Sequence, residues 1–342
     1  MTKKKRPRQA PSSTPWDEMD IASLSPSQAL VHATHKSTYA FRHESFEGDI
    51  EFFNKFARDS CPWCSSERVY KRGFERSGMQ RYYCRDCEKR FSPATGTIFE
   101  DRKLPLSAWV DFLVQLFSFE SINVITREDR RSDTTIPYWI DKVFAVLDGI
   151  QDGMVLSGRV QIDEAFYPIP GKEAVVVDGK LLRGLSRNKI CIAIGCDGSG
   201  CSVFRRAGFG KPSAGRVVEA YAPHIEHGSL LIHDMEKAHH KLVKELGLKE
   251  EVYNSKLISK LDDADNPLAD VNRFCYLVKR FLDSHSGFDR NDLDGWLNLF
   301  SVMMNPPENK MEKVVLVLNR AMGNPKTLHF RDFYNVKSSS EG

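Results

Sequence analysis

Two cysteine pairs, Cys61-Pro-Trp-Cys64 and Cys84-Arg-Asp-Cys87, carry the plainest chemistry in the chain. A Cys-x-x-Cys knuckle turns two sulfurs toward one point. Two knuckles roughly twenty residues apart make a four-thiolate tetrahedral cage suited to zinc. The stretch from Ser65 to Tyr83 is long enough for one hairpin, with a polar turn at Glu75-Arg-Ser-Gly78, so the reading is a zinc ribbon. Disulfides would need an oxidising compartment. The amino terminus, Met1-Thr-Lys-Lys-Lys-Arg-Pro-Arg8, has no apolar secretory segment behind it, and Cys191, Cys196, Cys201 and Cys275 show no paired spacing. Iron fits the same cage and stays open as an alternative.

The second chemical group is built from oxygen. Asp163 interrupts the strand-like run Val160–Tyr167, and Asp234 ends the run Ser229-Leu-Leu-Ile-His. A carboxylate at the end of a buried strand loses hydration unless a cation or hydrogen bonds compensate. A shared divalent ion would do so; helix capping explains Asp234 equally well. Asn272 and Lys279 stand seven residues apart on an expected helix, just under two turns, so they share a face. Cys275 and Tyr276 lie between them, and Leu268, Val271, Cys275, Val278 and Leu282 form the neighbouring apolar stripe. An Asn offers a neutral oxygen to a magnesium shell, and a Lys offers a positive charge to a phosphate. Two carboxylates, an amide oxygen and an ammonium suit metal-assisted phosphoryl transfer. A solvated helix face accounts for the Asn and the Lys as well. Glu164, next to Asp163, points to the opposite sheet face and is expected to support the site from behind.

These residues need elements to hold them. The pattern predicts helical segments in 26–58, a ribbon over 59–98, and helices within 104–149. The first of those helices, Ala108–Phe119, sets Trp109, Phe112, Leu113 and Leu116 on one stripe. A polar break at Arg127–Asp133 and a second helix to Leu147 are compatible with a helix-turn-helix and equally with a plain helical linker. From Val160 the period changes to that of strands. A hairpin joins Lys189–Gly195 to Cys201–Arg205, short strands end at Asp234 and near Asn254, and three helical segments follow to about residue 322. This order predicts a mixed α/β domain over 158–325, with a tail over 326–342.

The chain of 342 residues carries a net charge of +3. The basic residues Lys3, Lys4, Lys5, Arg6 and Arg8 account for +5 and leave −2 over the rest. The expectation for 1–25 is a disordered basic tail that can touch phosphates or serve only as a solubilising leader. No apolar run is long enough to span a bilayer, which predicts a cytoplasmic protein without a membrane partner. Weaker candidates for DNA contact are Lys180, Arg183, Arg187, Lys189, Arg205 and Arg206. His233, His239 and His240 gather around Asp234 without a clear ligand set, and Trp63, Tyr82 and Tyr83 either stack on bases or form the ribbon's small core.

The order of these words resembles bacterial insertion-sequence transposases of the DDE superfamily, in the subgroup with a zinc ribbon and an Asp-Asp-Asn/Glu-Lys signature. The resemblance runs from about Cys61 to Tyr334. It is carried by Cys61-Pro-x-Cys64, Phe91-Ser-Pro-Ala-Thr-Gly-Thr-Ile-Phe99, Leu104-Pro-Leu-Ser-x-Trp109, Ile162-Asp-Glu164, Val271-Asn-Arg273 and Leu277-Val-Lys-Arg280, and more loosely by Gly287-Phe-Asp-Arg290 and Asn305-Pro-Pro307. It implies an RNase H-like catalytic domain with Asp163, Asp234, Asn272 and Lys279 as catalytic residues. Magnesium or manganese would sit on Asp163, Asp234 and Asn272, and structural zinc on Cys61, Cys64, Cys84 and Cys87. It further implies double-stranded DNA as substrate, a homo-oligomer on DNA, and residence with the nucleoid. The family pattern has a His three residues after the Asn, where this chain has Cys275, and Asp270 stands close enough to compete as a ligand. The other readings are a DNA-binding regulator that has lost catalysis and a structure-specific nuclease of the same fold.

Overall fold

The computed structural model describes residues 48–102, 104–129, 131–285, 287–324 and 326–329. The basic tail, the start of the expected N-terminal helical segment and the chain from 330 onward lie outside the described residues. Two compact units are distinguished, Met1–Ser118 with Ile122–Pro137, and Phe119–Ser121 with Tyr138–Gly342.

In the first unit, helix α1 (Gly48–Asn54) ends before a three-stranded antiparallel sheet of β1 (Val69–Phe74), β2 (Gln80–Cys84) and β3 (Arg90–Phe91), in that order. Strand β2 alternates as a half-buried strand should, with Gln80, Tyr82 and Cys84 inward. Tyr82 stacks on Phe91 at 5.5 Å, so this tyrosine belongs to the ribbon's core. Helix α2 (Leu106–Leu116) buries Trp109, Phe112, Leu113 and Leu116, the stripe its period predicts. Its first amide, Leu106 N, donates to the Asp49 carboxylate of α1 at 2.5 Å, satisfying one of the donors a helix start leaves free. A run of edge-on rings, Phe53–Phe99–Trp109–Phe112, fills the space between the two helices.

The expected polar break is shorter than the sequence suggests. Residues Ile122–Glu128 form helix α3, with Ile125 fully buried. Asp129 is buried too, and Gln115 Nε2 donates to its Oδ1 at 2.7 Å. A single buried isoleucine in a seven-residue helix leaves no period to read.

Helix α4 (Thr135–Leu147) leads into the second unit. There β4 (Arg159–Pro168) is followed by a small ribbon of β5 (Val176–Val177) and β6 (Lys180–Leu181), then β7 (Lys189–Asp197) and β8 (Ser202–Phe209). The ribbon turns on Asp178 and Gly179, both left-handed (φ 50° and 71°), the geometry of a tight two-residue hairpin. Helix α5 (Ala214–Tyr221), β9 (Leu230–Asp234), α6 (His239–Leu246), β10 (Lys249–Tyr253), α7 (Ser255–Ile258), α8 (Ala269–Ser284), α9 (Leu293–Met304) and α10 (Lys310–Gly323) complete it.

The main sheet has five strands in the order β10-β9-β4-β7-β8. β4, β7 and β8 are antiparallel neighbours, while β9 and β10 continue the sheet parallel to β4. β7, between β4 and the edge strand β8, is apolar on both faces, and Ile190 through Cys196 are all buried. Val160, Ile162, Val203 and Leu231 pack toward α5 and α6. Residues of the opposite parity face α8 and α9: Tyr167 Oη donates to Asp283, and Phe204 packs edge-on against Phe274 and Phe300.

The outer edge of β8 is closed by two side-chain amides. Gln151 receives Phe204 N at 2.8 Å and donates to Phe204 O at 3.0 Å, and Asn305 does the same for Ser202 at 2.7 and 2.8 Å. These amides take the place of a sixth strand and remove an edge open to pairing. Among the described residues no helix is long and apolar enough to cross a membrane.

Candidate functional site

The parallel pairing of β4 with β9 matches Val160 to Leu231 and Gln161 to Ile232. Carried two residues further, that register sets Asp163 beside Asp234. Alternation puts both on the face toward α8, Asp163 in the middle of β4 and Asp234 at the end of β9, on neighbouring strands spaced about 4.8 Å apart. Two carboxylates far apart in sequence therefore meet through one register.

Each carboxylate is oriented by local donors. Asp163 Oδ1 accepts Glu164 N at 2.8 Å, and the Cys275 thiol donates to Oδ2 at 3.7 Å. Asp234 Oδ1 accepts Glu236 N at 3.0 Å. That bond closes a turn; it does not cap α6, which begins at His239 with Ala238 at its cap. Among the described residues neither carboxylate has a Lys or Arg within ion-pairing distance. Burial, then the charge of Glu164, and also that of Asp234, push the Asp163 carboxyl up to about 6. A buried acid short of positive charge fits a site that takes up a cation.

The third wall is α8. Its start is docked on β4 by Gln161, whose side chain accepts Val271 N and donates to Asp270 Oδ2, both at 3.1 Å. Asp270 is thereby engaged with a strand residue two before Asp163. Leu268, Val271, Cys275, Val278 and Leu282 are all buried, as their spacing predicts. Cys275 marks where the helix crosses Asp163, and burial followed by that carboxylate raises its thiol well above the ordinary range. Asn272 lies one turn before Cys275 and Lys279 one turn after, about 4.5 and 6 Å along the axis. Asn272 is exposed and Lys279 half-buried. The positive charge of Lys279, one turn away, acts against that rise in the Cys275 thiol.

Glu164 faces away from Asp163, toward α5 and α6. Its Oε1 accepts Tyr221 Oη at 3.2 Å and lies 3.1 Å from His239 Nε2. The single Tyr221 Oη proton is shared between that oxygen and Asp163 O, the nearer at 2.9 Å. Sequence reasoning passed over Tyr221 and Gln161. Both act by reaching across from another element, and neither stands in a motif. Of the histidines near Asp234, His233 and His239 are fully buried beside it, whereas His240 points outward. Lys211, from the loop after β8, reaches Glu236 at 2.6 Å.

In the first unit, the four sulfurs of Cys61, Cys64, Cys84 and Cys87 lie within 4.8 Å of one another, with Cys61–Cys87 at 3.5 Å and Cys64–Cys84 at 3.6 Å. A tetrahedron with metal–sulfur bonds of about 2.3 Å has edges of about 3.8 Å, so the donor set fits zinc closely. Trp63, about half exposed, lies edge-on to Phe91 and under Lys89.

No family model matches the chain. A 111-residue stretch is 32% identical to an uncharacterized protein in the transposable element ISH50 of Halobacterium salinarum, covering 31% of this chain and 35% of the relative. The chain thus spans about a third of the length of the curated relative it matches. Among solved structures, the Mos1 strand transfer complex overlaps 65% of this chain and 78% of its own at 10% identity and a TM-score of 0.27. A pre-cleavage Mos1 transpososome overlaps 64% and 79% at 11% identity and a TM-score of 0.23. Overlaps at these scores assign no fold. The likeness that bears on this chain is the one to a protein carried by a mobile element.

Proposed function

We propose that the chain is a transposase that cuts the DNA ends of an insertion sequence and joins them to target DNA. The observation that carries the reading is Asp163 on the strand beside the one that ends in Asp234, with Cys275, between Asn272 and Lys279 on α8, donating to Asp163. The sheet, with three antiparallel strands extended by two parallel ones and helices on both faces, supports an RNase H-like catalytic domain. The likeness to a protein of a transposable element supports the same biology.

Asp163 and Asp234 would hold the divalent ions, magnesium or manganese, with the Asn272 amide oxygen completing one shell. Such ions, when bound, activate the attacking oxygen and offset charge on the leaving one. The protein's share is positioning. Glu164 N and the Cys275 thiol fix the two oxygens of Asp163, and Gln161 fixes the start of α8, hence the reach of Asn272. Lys279 would hold a non-bridging phosphate oxygen. Asn in place of an acid removes one negative charge and weakens ion binding until substrate phosphates join the shell. The cysteine cage would hold zinc and keep the ribbon folded, since a sheet this small buries too little to stand alone. DNA is the implied partner, with a homo-oligomer on paired ends.

The test is cleavage and joining of DNA carrying the inverted repeats that flank the gene. Asp163→Asn and Asp234→Asn should each abolish cleavage and leave end binding intact. A regulator without catalysis would show no cleavage by the unaltered chain. A nuclease would cut without joining a 3′ end to target DNA.

A further inference from the structure

Behind the two carboxylates, on the α5–α6 side, two imidazoles are wholly buried: His233 of β9 and His239 at the start of α6, each 0% exposed. Their Nδ1 atoms are 3.1 Å apart. Their outer nitrogens each face a carboxylate, His239 Nε2 at 3.1 Å from Glu164 Oε1 and His233 Nε2 at 3.5 Å from Glu250 Oε2. An ionised carboxylate only accepts, so His239 Nε2 is the N–H. His239 Nδ1 then carries a lone pair, aimed at His233 Nδ1. Two oxygens add to them: Asp234 O, 2.5 Å from His233 Nδ1, and Asp234 Oδ1, 4.0 Å from His239 Nδ1. In the ion-free chain a proton on His233 Nδ1 bridges to these acceptors, and a metal ion in the same volume would replace it. His233 Nε2 is buried and has no partner at hydrogen-bonding geometry.

We propose that His233 Nδ1, His239 Nδ1 and Asp234 Oδ1 form a transition-metal site, of the kind that takes zinc, separate from the cysteine cage. The three donor atoms lie within 4.8 Å of one another. Metal–nitrogen bonds of about 2.0–2.1 Å set tetrahedral donors about 3.3 Å apart, close to the 3.1 Å between the two imidazoles. Imidazole donors select zinc, copper or nickel over magnesium and calcium. Glu164 is placed as the carboxylate that orients a metal-bound His239 from outside, and Glu250 stands 3.5 Å from His233 Nε2. Asp234 is one-third exposed, so a fourth ligand can enter from solvent and its second oxygen stays free. The site does not depend on the chain cutting DNA.

The experiment counts metal in the full chain, expressed with ample zinc and freed of loose ions by gel filtration. Elemental analysis should find two zinc ions per chain, and one in His233→Ala or His239→Ala with the cage still loaded. Cobalt titration of the metal-stripped, unaltered chain needs no variant. One equivalent should show intense sulfur-to-cobalt charge transfer, and a second only the weaker visible bands of nitrogen and oxygen ligands. A single zinc, a single cobalt equivalent, or two ions retained in both histidine variants would overturn the proposal. Any of these leaves the transposase reading untouched, because that reading stands on loss of cleavage in Asp163→Asn.

Discussion

Replacing Asp163 by Asn should make the magnesium-free protein more stable at neutral pH. Asp163 titrates at about 6 in the fold, against an ordinary 3.8, chiefly through burial and the charge of Glu164. The folded chain therefore holds more protons than the unfolded chain between those values, and stability falls as pH rises through that window. Above about pH 6 the whole penalty is present. A shift of about two pKa units corresponds to about 3 kcal/mol. Asn cannot ionise and keeps an acceptor for Glu164 N, so Asp163→Asn should recover up to that amount at pH 8 and nothing below about pH 3.8. For a domain the size of the one that holds Asp163 each kcal/mol moves Tm by about 2–4 °C, so the expected gain is roughly 6–12 °C. The assay is thermal unfolding by circular dichroism at pH 8 and pH 4.5, without divalent ions other than cage zinc. Adding magnesium should then raise Tm of the unaltered chain and not that of the variant, the unfolding free energy of the former growing by about 1.4 kcal/mol for each tenfold excess over Kd. A variant no more stable than the parent at pH 8, or a gain equal at both pH values, would refute the account of a carboxylate waiting for a cation.

Gly295→Ala should destabilise the second unit. A Cβ there would sit 2.5 and 2.9 Å from the Cδ atoms of the Phe144 ring, and overpacking of about 1–3 kcal/mol outweighs the gain of about 1 kcal/mol in helix propensity; a lower denaturant midpoint checks this. Lys279→Ala should change folding stability by less than about 1 kcal/mol, as for other half-exposed lysines, while strand joining falls by at least about tenfold, measured on pre-cut ends. Cys84→Ser should lose the cage metal, detected by a zinc-sensitive dye, and open the ribbon to proteolysis between Cys61 and Phe91, because structural zinc supplies folding free energy directly. The unfolding transition of the five-stranded domain should survive that change.

The sequence by itself determined the local features. The cysteine spacing announces four converging sulfurs because a knuckle's geometry is set within four residues. The stripe Leu268–Leu282 announces which side of α8 is buried, and through it the shared face of Asn272 and Lys279, because helical period is a local property. β7 and β8 read as a hairpin because an apolar run and a second strand flank the turn Asp197–Gly200. Only the tertiary structure decided what meets what. Asp163 and Asp234 become neighbours through the β4–β9 register, and no window of sequence contains that pairing. Cys275 lies over Asp163, and Asp270 is engaged by Gln161, because α8 crosses the sheet at one particular place. The histidines near Asp234 looked like one cluster in the chain. The strand-to-helix turn buries His233 and His239 with their nitrogens opposed and leaves His240 in solvent. Periodicity reports which side of an element avoids water; it is silent about the partner across the gap, which depends on how the separate elements pack.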